Sequence, residues 1–302
     1  MTIVPPEPGE PRRPLGPLNP GDAWVVADSG ERYWGRFGAA GVLAVDAERG
    51  VLLQHRVGWS HFGGTWGIPG GARHQDESAL DGALREAREE AGIPYGALRP
   101  RFSNVLDLSI WTYTTVVADV VEPFDPVISD PESVALEWVP VAEVAQRELH
   151  PGFADSWGRL SALLDVRPAI VVDAANVVGS VPDGWWKDRV GAAERLHARV
   201  SAWAADGVAA SALGLPAERW HPVVSFVVEG EARAMADGDG VVAVVRAPGS
   251  GDDAIVAEAT RLVETGMAVT VVTSDRGLRE RAEAAGARLE SAGWLLGQLP
   301  EP

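Results

Sequence analysis

Short apolar stretches alternate with polar turns over the first half of the chain. Ala39–Val45 and Val51–Arg56 are two of these stretches, and the polar turn between them predicts a β-hairpin. Leu106–Val121 is rich in β-branched and aromatic residues and predicts one or two strands, while Leu136–Pro140 predicts a short one. Residues 141–164 are expected to be largely helical. This order indicates a mixed sheet with helices beside it.

One segment carries a helical period instead. Apolar residues recur at i, i+4, i+7 and i+11 from about Ser78 to Ala91, which predicts an amphipathic helix with its acidic residues on the opposite face. A glycine follows the last apolar residue and is placed to end the helix. The apolar stripe and the terminating glycine are Leu80, Leu84, Ala87, Ala91 and Gly92.

Strands and helices alternate regularly over the second half, which is typical of a doubly wound parallel sheet. The predicted strands are Pro168–Val172, Val223–Val228, Val241–Val245 and Val269–Thr273, and the predicted helices are Trp185–Ala205, Asp252–Glu264 and Leu278–Ala285. The sequence therefore divides into a disordered, Pro- and Gly-rich segment 1–22, an α/β domain 23–167 and a second α/β domain 168–302.

Charge changes the interpretation of the helix over residues 78–91. Glu86, Glu89 and Glu90 are close together on it, and like charges at this spacing repel and raise each other's pKa. A divalent cation with hard oxygen ligands, Mg²⁺ or Mn²⁺, resolves that conflict. The turn Pro69-Gly70-Gly71 before the helix lets backbone approach a ligand closely. The alternative is a solvated acidic helix face.

The same residues complete a longer motif. Gly71, Glu77, Arg85, Glu86, Glu89, Glu90, Gly92 and Ile93 stand at the spacing G-x5-E-x7-R-E-U-x-E-E-x-G-U, where U is small or apolar. This stretch resembles the box of the Nudix hydrolases, which split nucleoside diphosphates linked to another group. The resemblance implies an α/β/α sandwich around a mixed sheet.

The resemblance also implies roles for individual residues. Glu86, Glu89 and Glu90 would hold the metal with the Gly70 carbonyl, and Arg85 and Glu77 would orient them. Some members have a catalytic glutamate in a later loop, a position that Glu132 matches here. The expected substrate is a nucleotide. The sequence does not distinguish among oxidised dNTPs, NTPs, ADP-ribose, dinucleotides and RNA caps as that nucleotide.

The loop from Val57 to Gly71 carries candidates for substrate binding. Trp59, Phe62 and Trp66 could stack on a purine base, or they could cover the edge of the sheet. Arg56, at the start of the loop, is a further candidate to bind substrate.

Acidic residues also follow strands in the second half. Asp173 and Asp275 each end a predicted strand, and the pair Asp252-Asp253 opens a helix. Carboxyl ends of parallel strands meet at one edge, so these carboxylates are expected to converge there. The alternative is that they only cap helices.

These motifs, with Asn176 in a D-x-x-N and a T-S-D-R turn, resemble the PIN-like nucleases of the NYN/YacP type. That resemblance implies a metal centre of Asp173, Asn176, Asp252, Asp253 and Asp275, with Glu229 as a further ligand, and makes RNA a candidate partner. A binding or dimerisation domain without catalysis is the alternative. A third hypothesis is a nucleotide sensor that kept only the fold.

The composition of the chain excludes some kinds of site and makes some kinds of partner less expected. The 302 residues include no cysteine, which excludes disulfides, thiolate zinc sites and cysteine nucleophiles and fits a cytoplasmic protein. The net charge of −17 is spread over both halves, so neither half has the basic surface of a protein that grips long nucleic acid. No long apolar stretch or basic-then-apolar leader suggests a membrane partner. Abundant Ala, Gly and Val are typical of a bacterial genome of high GC content.

Overall fold

The computed structural model describes residues 1–5, 19–182, 184–238 and 240–300. The chain forms two compact units. The first comprises Met1–Leu164 and Pro216–Glu218, and the second comprises Asp165–Leu215 and Arg219–Pro302.

Two sheets make up the first unit. A small antiparallel sheet has the order β1-β2-β3, and a mixed sheet has the order β10-β5-β4-β9-β8, in which only the β4–β9 pair is parallel; β6 pairs with β5 and β7 with β4. The strands are β1 Thr2–Val4, β2 Trp24–Val26, β3 Arg32–Trp34, β4 Ala39–Asp46, β5 Gly50–Arg56, β6 Trp66–Gly67, β7 Gly70–Ala72, β8 Leu98–Asp107, β9 Thr112–Val120 and β10 Ser133–Val139.

The predicted hairpin of β4 and β5 is confirmed, with Val45 opposite Val51. The expectation of disorder over residues 1–22 is wrong for Thr2–Val4, because these residues pair with Trp24–Val26 as strand β1. Residues 6–18 of that segment lie outside the described residues.

Helix α1, Ala79–Ala91, covers one face of the mixed sheet. The Ser78 hydroxyl caps its start by accepting from the Asp81 amide, and Gly92 ends it at φ 62°, a backbone conformation that glycine adopts without steric cost. Ala83, Ala87 and Ala91 are fully buried against the strands, so small side chains allow the helix to lie close to the sheet.

The end of the first unit is less helical than expected. Residues 141–146 form a 3₁₀ turn, and α2 begins only at Pro151 and ends at Ser161. His150 caps α2 through its ring, and Pro151 takes the first helical position, where its missing N–H costs nothing.

The second unit is built on a five-stranded parallel sheet of order β15-β14-β11-β16-β17. This confirms the parallel sheet, while its assignment to the PIN-like fold stays a prediction. The strands are β11 Pro168–Asp173, β12 Val208–Ala209, β13 Arg219–Trp220, β14 Val223–Val228, β15 Ala243–Arg246, β16 Ala268–Val272 and β17 Arg288–Glu290, and β12 pairs antiparallel with β13 outside the parallel sheet.

Helices pack beside this parallel sheet, and Ile255, Ala259 and Leu262 of one of them join the core with Leu278 and Ala282 of the next. The helices are α3 Ala174–Gly179, α4 Arg189–Asp206, α5 Ala210–Leu213, α6 Gly251–Glu264, α7 Arg276–Ala284 and α8 Ala292–Gln298. The helix predicted from Trp185 begins at Arg189 instead, because Asp188 caps it and residues 185–187 form a 3₁₀ turn. Across the described ranges, no helix combines the length and the apolar character that crossing a membrane requires.

Candidate active site and a second acidic edge

Arg85 is the centre of an ion-pair network on α1. Its Nε and Nη2 donate to the two carboxylate oxygens of Glu77 at 2.8 and 3.0 Å, and Nη1 donates to Glu86 at 2.7 Å and to Glu89 at 3.1 Å. Nη2 also donates to the carbonyl of Ala72 on β7 at 3.0 Å. The arginine therefore fixes the box carboxylates relative to the glycine turn that precedes the helix.

Glu77 stays ionised in this arrangement. Burial works to raise its pKa, but the hydrogen bonds from Arg85 and from the His74 amide outweigh burial and lower the pKa. The His74 amide donates to the second carboxylate oxygen at 2.8 Å. Glu77 thereby connects the segment after β7 to the helix.

Glu86 and Glu90 do not lie on a solvated face. Their exposed fractions are 3% and 4%, whereas the Glu89 side chain is 41% exposed. The expectation that all three would lie opposite the apolar stripe is therefore wrong for Glu86 and Glu90. Each stands three positions after a buried alanine, Ala83 or Ala87, so both carboxylates share the buried face of α1.

The glycine turn makes room for these carboxylates. A Cβ added at Gly71 would come within 2.8 Å of the Glu86 carboxylate. Gly70 donates its amide to Glu90 Oε2 at 2.9 Å, and Gln54 Nε2 donates to the same oxygen at 3.3 Å. A side chain at Gly71 would displace the Glu86 carboxylate, and a Cβ at Gly70 would meet the backbone of Ala40 and Gly41 on β4, so both glycines serve close approach.

Burial raises the pKa of Glu90 well above its ordinary value, and the nearby negative charges of Glu86 and Glu132 add to the shift. Arg56 and the Gly70 amide act in the other direction. Glu132, placed by sequence in a distant loop, is thus brought within electrostatic reach of Glu90. Its carbonyl accepts from the Val57 amide at 2.8 Å, which anchors the loop beside β5.

The donor set fits a hard divalent cation. Three carboxylates, two of them buried, stand on one helix, and carboxylate oxygens are ligands that Mg²⁺ takes in proteins. In the part of the chain that the structure describes, no three His, Asp or Glu side chains form a ready-made metal cage. Here Arg85 supplies the compensating charge to Glu86 and Glu89. The sequence predicted the Gly70 carbonyl as a metal ligand. The structure shows in addition that the Gly70 amide donates a hydrogen bond to the Glu90 carboxylate.

The candidate substrate residues fall into two groups. Phe62 and Trp59 are 47% and 44% exposed, and the Phe62 ring contacts the rings of His61 and His150 at 4.3 and 4.9 Å between centroids. Trp66 is buried in β6, with His55 stacked on it at 4.7 Å between ring centroids and Arg147 over the ring at 4.7 Å. Trp66 is therefore a packing residue, and its prediction as a stacking surface is wrong.

Sequence reasoning missed Gln54 and Tyr113 near these carboxylates. Gln54 is fully buried on β5, donates to Ser133 Oγ at 2.7 Å and was invisible because a lone glutamine inside a strand gives no spacing signal. Tyr113 on β9 is buried, and burial together with the charge of Glu90 raises its pKa. The Tyr113 hydroxyl leaves no space for a Cβ at Gly41 or Gly70.

In the second unit, the predicted acids surround the carboxyl end of the parallel sheet. Asp173 ends β11, accepts from the Asn176 amide at 3.0 Å and from Thr273 Oγ1 at 2.8 Å, and is 7% exposed. Asn176 Oδ1 accepts from the Ser274 amide at 2.8 Å, which connects the ends of β11 and β16.

Electrostatics show which of these acids are neighbours. Burial raises the pKa of Asp173, and Asp252 and Glu229 add to it. Burial likewise raises the pKa of Asp252, with Asp275 as the largest charge contribution. Asp173, Asp252, Asp275 and Glu229 therefore share one region. Asp253 instead pairs with Arg281 at 2.6 Å.

Two of the carboxylates at this edge accept hydrogen bonds from backbone amides at the start of a helix. Asp275 caps α7 through the Leu278 amide at 2.8 Å, and Glu229 accepts from the Gly251 amide at 2.8 Å. Helix capping, the alternative considered from sequence, thus accounts for part of their placement. The sequence predicted a tight cluster of carboxylates at this edge. Among the described residues, no three His, Asp or Glu side chains are placed so that they could hold a metal ion together.

The NUDIX domain family model matches residues 35–159, which contain α1 and the strands around it. A protein of Mycobacterium tuberculosis named "Putative 8-oxo-dGTP diphosphatase 3" is 53% identical over 150 residues, covering 46% of this chain and 69% of that protein. The chain belongs to the Nudix family.

Two further proteins are similar to the first half of the chain. A "Nucleoside triphosphate pyrophosphatase/Nudix hydrolase fusion protein" of Bifidobacterium longum is 42% identical over 154 residues, which span 48% of this chain and 32% of that protein. The crystal structure of RenU, a Nudix hydrolase of M. smegmatis, is 46% identical and covers 47% of this chain and 94% of that chain, with a TM-score of 0.44. The Nudix match ends before the second unit begins at Asp165.

Proposed function

We propose that the first unit is a Mg²⁺- or Mn²⁺-dependent pyrophosphohydrolase that acts on a nucleoside triphosphate with an oxidised base, of the 8-oxo-dGTP type. The observation that carries the reaction class is the burial of Glu86 and Glu90 against the Gly70-Gly71 turn. The name of the mycobacterial relative supports the substrate class. Oxidised dNTPs therefore come first among the nucleotides left open by the sequence.

Each residue has a definable task in this proposal. Glu86, Glu89 and Glu90 would hold the cation, which when bound offsets pyrophosphate charge and lowers the pKa of a water molecule. Arg85 keeps Glu86 and Glu89 in position, and Glu77 keeps Arg85 in position. A box glutamate or Glu132 would accept the proton of the attacking water at a carboxylate oxygen.

Turnover of a nucleotide panel tests this proposal. The full chain is incubated with 8-oxo-dGTP, dGTP, ATP, ADP-ribose and a dinucleotide, with Mg²⁺ and with EDTA, and the products are separated. Metal-dependent release of pyrophosphate and a nucleoside monophosphate from 8-oxo-dGTP is expected to exceed turnover of the others. Binding without turnover of any member would favour the nucleotide sensor instead.

For the second unit we propose a divalent-cation site at the carboxyl edge of the sheet, serving a PIN-like, metal-dependent cleavage of single-stranded RNA. Burial raises the pKa of Asp173 and of Asp252, with Asp252 adding to the first shift and Asp275 to the second, and this proximity of charge supports the site. The Asp173→Asn variant is expected to lose Mn²⁺-dependent RNA cleavage while nucleotide hydrolysis persists. Absence of cleavage by the unmodified chain would favour the alternative, a binding or dimerisation domain.

A further inference from the structure

His150 is held rigidly beside the loop that carries the aromatic candidates. Its amide donates to the Trp66 carbonyl at 2.7 Å, and the Trp66 amide donates to the Glu148 carbonyl at 2.7 Å. The His150 ring meets the half-exposed Phe62 ring edge to face, 4.9 Å between centroids. His150 lies outside the Nudix box, and no sequence motif indicated a functional role for it.

The tautomer of His150 follows from its capping role. Nδ1 accepts from the Gly152 amide at 3.2 Å, which requires a lone pair on that nitrogen. Burial lowers the pKa of His150 to about 4, assisted by the positive charge of Arg56. The ring is therefore neutral at pH 7, with its one proton on Nε2.

This Nε2–H has no hydrogen-bond partner among the described residues, although the ring is half-buried. It is a donor that cannot also accept, because the only lone pair of the ring is used by Gly152. A fixed, unpartnered donor beside an exposed aromatic ring is the arrangement that reads the edge of a stacked base.

Arg56 lies beside the histidine, because a Cβ added at Gly67 would lie 3.7 Å from His150 Cβ and 3.8 Å from Arg56 Cδ. Arg56 lowers the pKa of both Glu90 and His150, so this arginine is within electrostatic reach of both. Arg56 Nε donates to the His61 carbonyl at 3.3 Å, which places the guanidinium stem beside the same loop. A nucleotide with its phosphates near Glu90 and Arg56 would have its base within this loop region.

We propose that the Nε2–H of His150 donates to a carbonyl oxygen of a purine base stacked on Phe62, and so selects guanine-type bases over adenine. This inference rests on the proposed action of the first unit on nucleotides. Guanine and its 8-oxo form carry a carbonyl oxygen at C6, whereas adenine carries an amino group there, which is itself a donor. Adenine would therefore leave the His150 donor unpaired.

Two variants separate base recognition from helix capping. His150→Asn keeps an acceptor for the Gly152 amide but is too short to place a donor where Nε2 lies. His150→Gln carries an amide N–H at about the reach of Nε2 but caps α2 less well. The probes are non-hydrolysable α,β-methylene analogues of GTP and ATP, whose Kd values are measured with the full chain.

The wild type is expected to bind the guanine analogue tighter than the adenine analogue. His150→Asn should reduce that preference by about three- to tenfold, the scale of one hydrogen bond. His150→Gln should retain most of the preference even if its melting temperature falls. For a hydrolysed guanine nucleotide, His150→Asn should raise KM more than it lowers kcat.

Several outcomes would overturn this role. They are an unchanged guanine preference in His150→Asn, an equal loss in both variants, which would indicate capping alone, or no preference in the wild type. Binding with the expected preference but no hydrolysis of any nucleotide would refute the proposed hydrolase and leave this recognition standing. A chain that binds neither analogue would refute both.

Discussion

Arg85 holds Glu77 with two nitrogens on two oxygens, Nε to Oε1 at 2.8 Å and Nη2 to Oε2 at 3.0 Å. Both side chains are 14% exposed, so the pair is mostly shielded from solvent. Two parallel hydrogen bonds of this kind fix the orientation of the guanidinium relative to the carboxylate as well as the distance between them. Because the same guanidinium donates to Glu86 and Glu89, the orientation of the box carboxylates depends on residue 77, eight positions before the arginine.

Replacing Arg85 by lysine tests this dependence. Lysine keeps the charge but cannot present the planar fork, so Glu77 and the Ala72 carbonyl lose partners. The Arg85→Lys variant is expected to lose roughly 1–3 kcal/mol of unfolding free energy, measured by denaturant titration. Arg88→Lys, at an exposed position on the same helix, is the control and should change little. Equal effects of the two substitutions would contradict the structural role of Arg85.

Gly71 offers a test of close approach. The added Cβ of Gly71→Ala would meet the Glu86 carboxylate at 2.8 Å, and the flexible carboxylate is the group that must move. Folding is therefore expected to survive, whereas nucleotide turnover should fall on the order of 10²-fold, the cost of misplacing a reacting group by about 1 Å. Gly58→Ala, with nothing within 4 Å of its added Cβ, is the control. Normal kcat in Gly71→Ala would show that Glu86 needs no such fit.

His150 predicts a pH dependence of stability. Its folded pKa, about 4, lies below the ordinary value of 6.5, so the unfolded chain takes up a proton that the folded chain does not. The stability from neutral His150 is therefore full above about pH 6.5 and is lost as the pH falls toward 4. Calorimetric melting temperatures of wild type and His150→Asn should converge over that range. Parallel curves would show that His150 is accessible to protons in the fold.

Local patterns predicted much of this molecule. The β4–β5 hairpin, helix α1 with its terminating Gly92 and the parallel sheet of the second unit all follow from spacing, since each reflects a short-range period. The burial of Glu86 and Glu90 did not follow. Both acids stand three positions after a buried alanine, but charged side chains were expected on the solvent face, and only the opposing glycine turn reveals space for them.

Residues that act through tertiary contact were also beyond the sequence. Gln54 reaches Glu90 across 36 positions, and His150 comes beside Phe62 through a backbone bridge at Trp66. Trp66 shows the opposite error. An aromatic residue in a glycine-rich loop resembled a binding surface, whereas pairing of β6 with β5 buries it under His55. Neither pairing leaves a trace in local composition.

The carboxyl edge of the second unit is testable through Asp252. Its pKa is raised by burial and by Asp275, so the Asp252→Asn variant relieves repulsion and should not lower the melting temperature without metal. Mn²⁺ should raise the melting temperature of the wild type by mass action and raise that of the variant much less. Glu264→Gln, at the far end of α6, removes one charge away from the edge and is the control. An equal Mn²⁺ response in all three proteins would argue against a cation site there.

In the proposed hydrolase the box carboxylates of α1 carry the reaction, and the Glu89→Gln variant removes the charge of one of them. Glu89 is the exposed member of the set, so losing its charge should spare folding, with a melting temperature near that of the wild type. Turnover of 8-oxo-dGTP at saturating Mg²⁺ is predicted to fall by roughly 10² or more, on the scale of removing one central electrostatic contact. Glu122→Gln, in an exposed loop, should keep wild-type turnover. Wild-type turnover by a folded Glu89→Gln protein would show that the box carboxylates do not carry the hydrolysis.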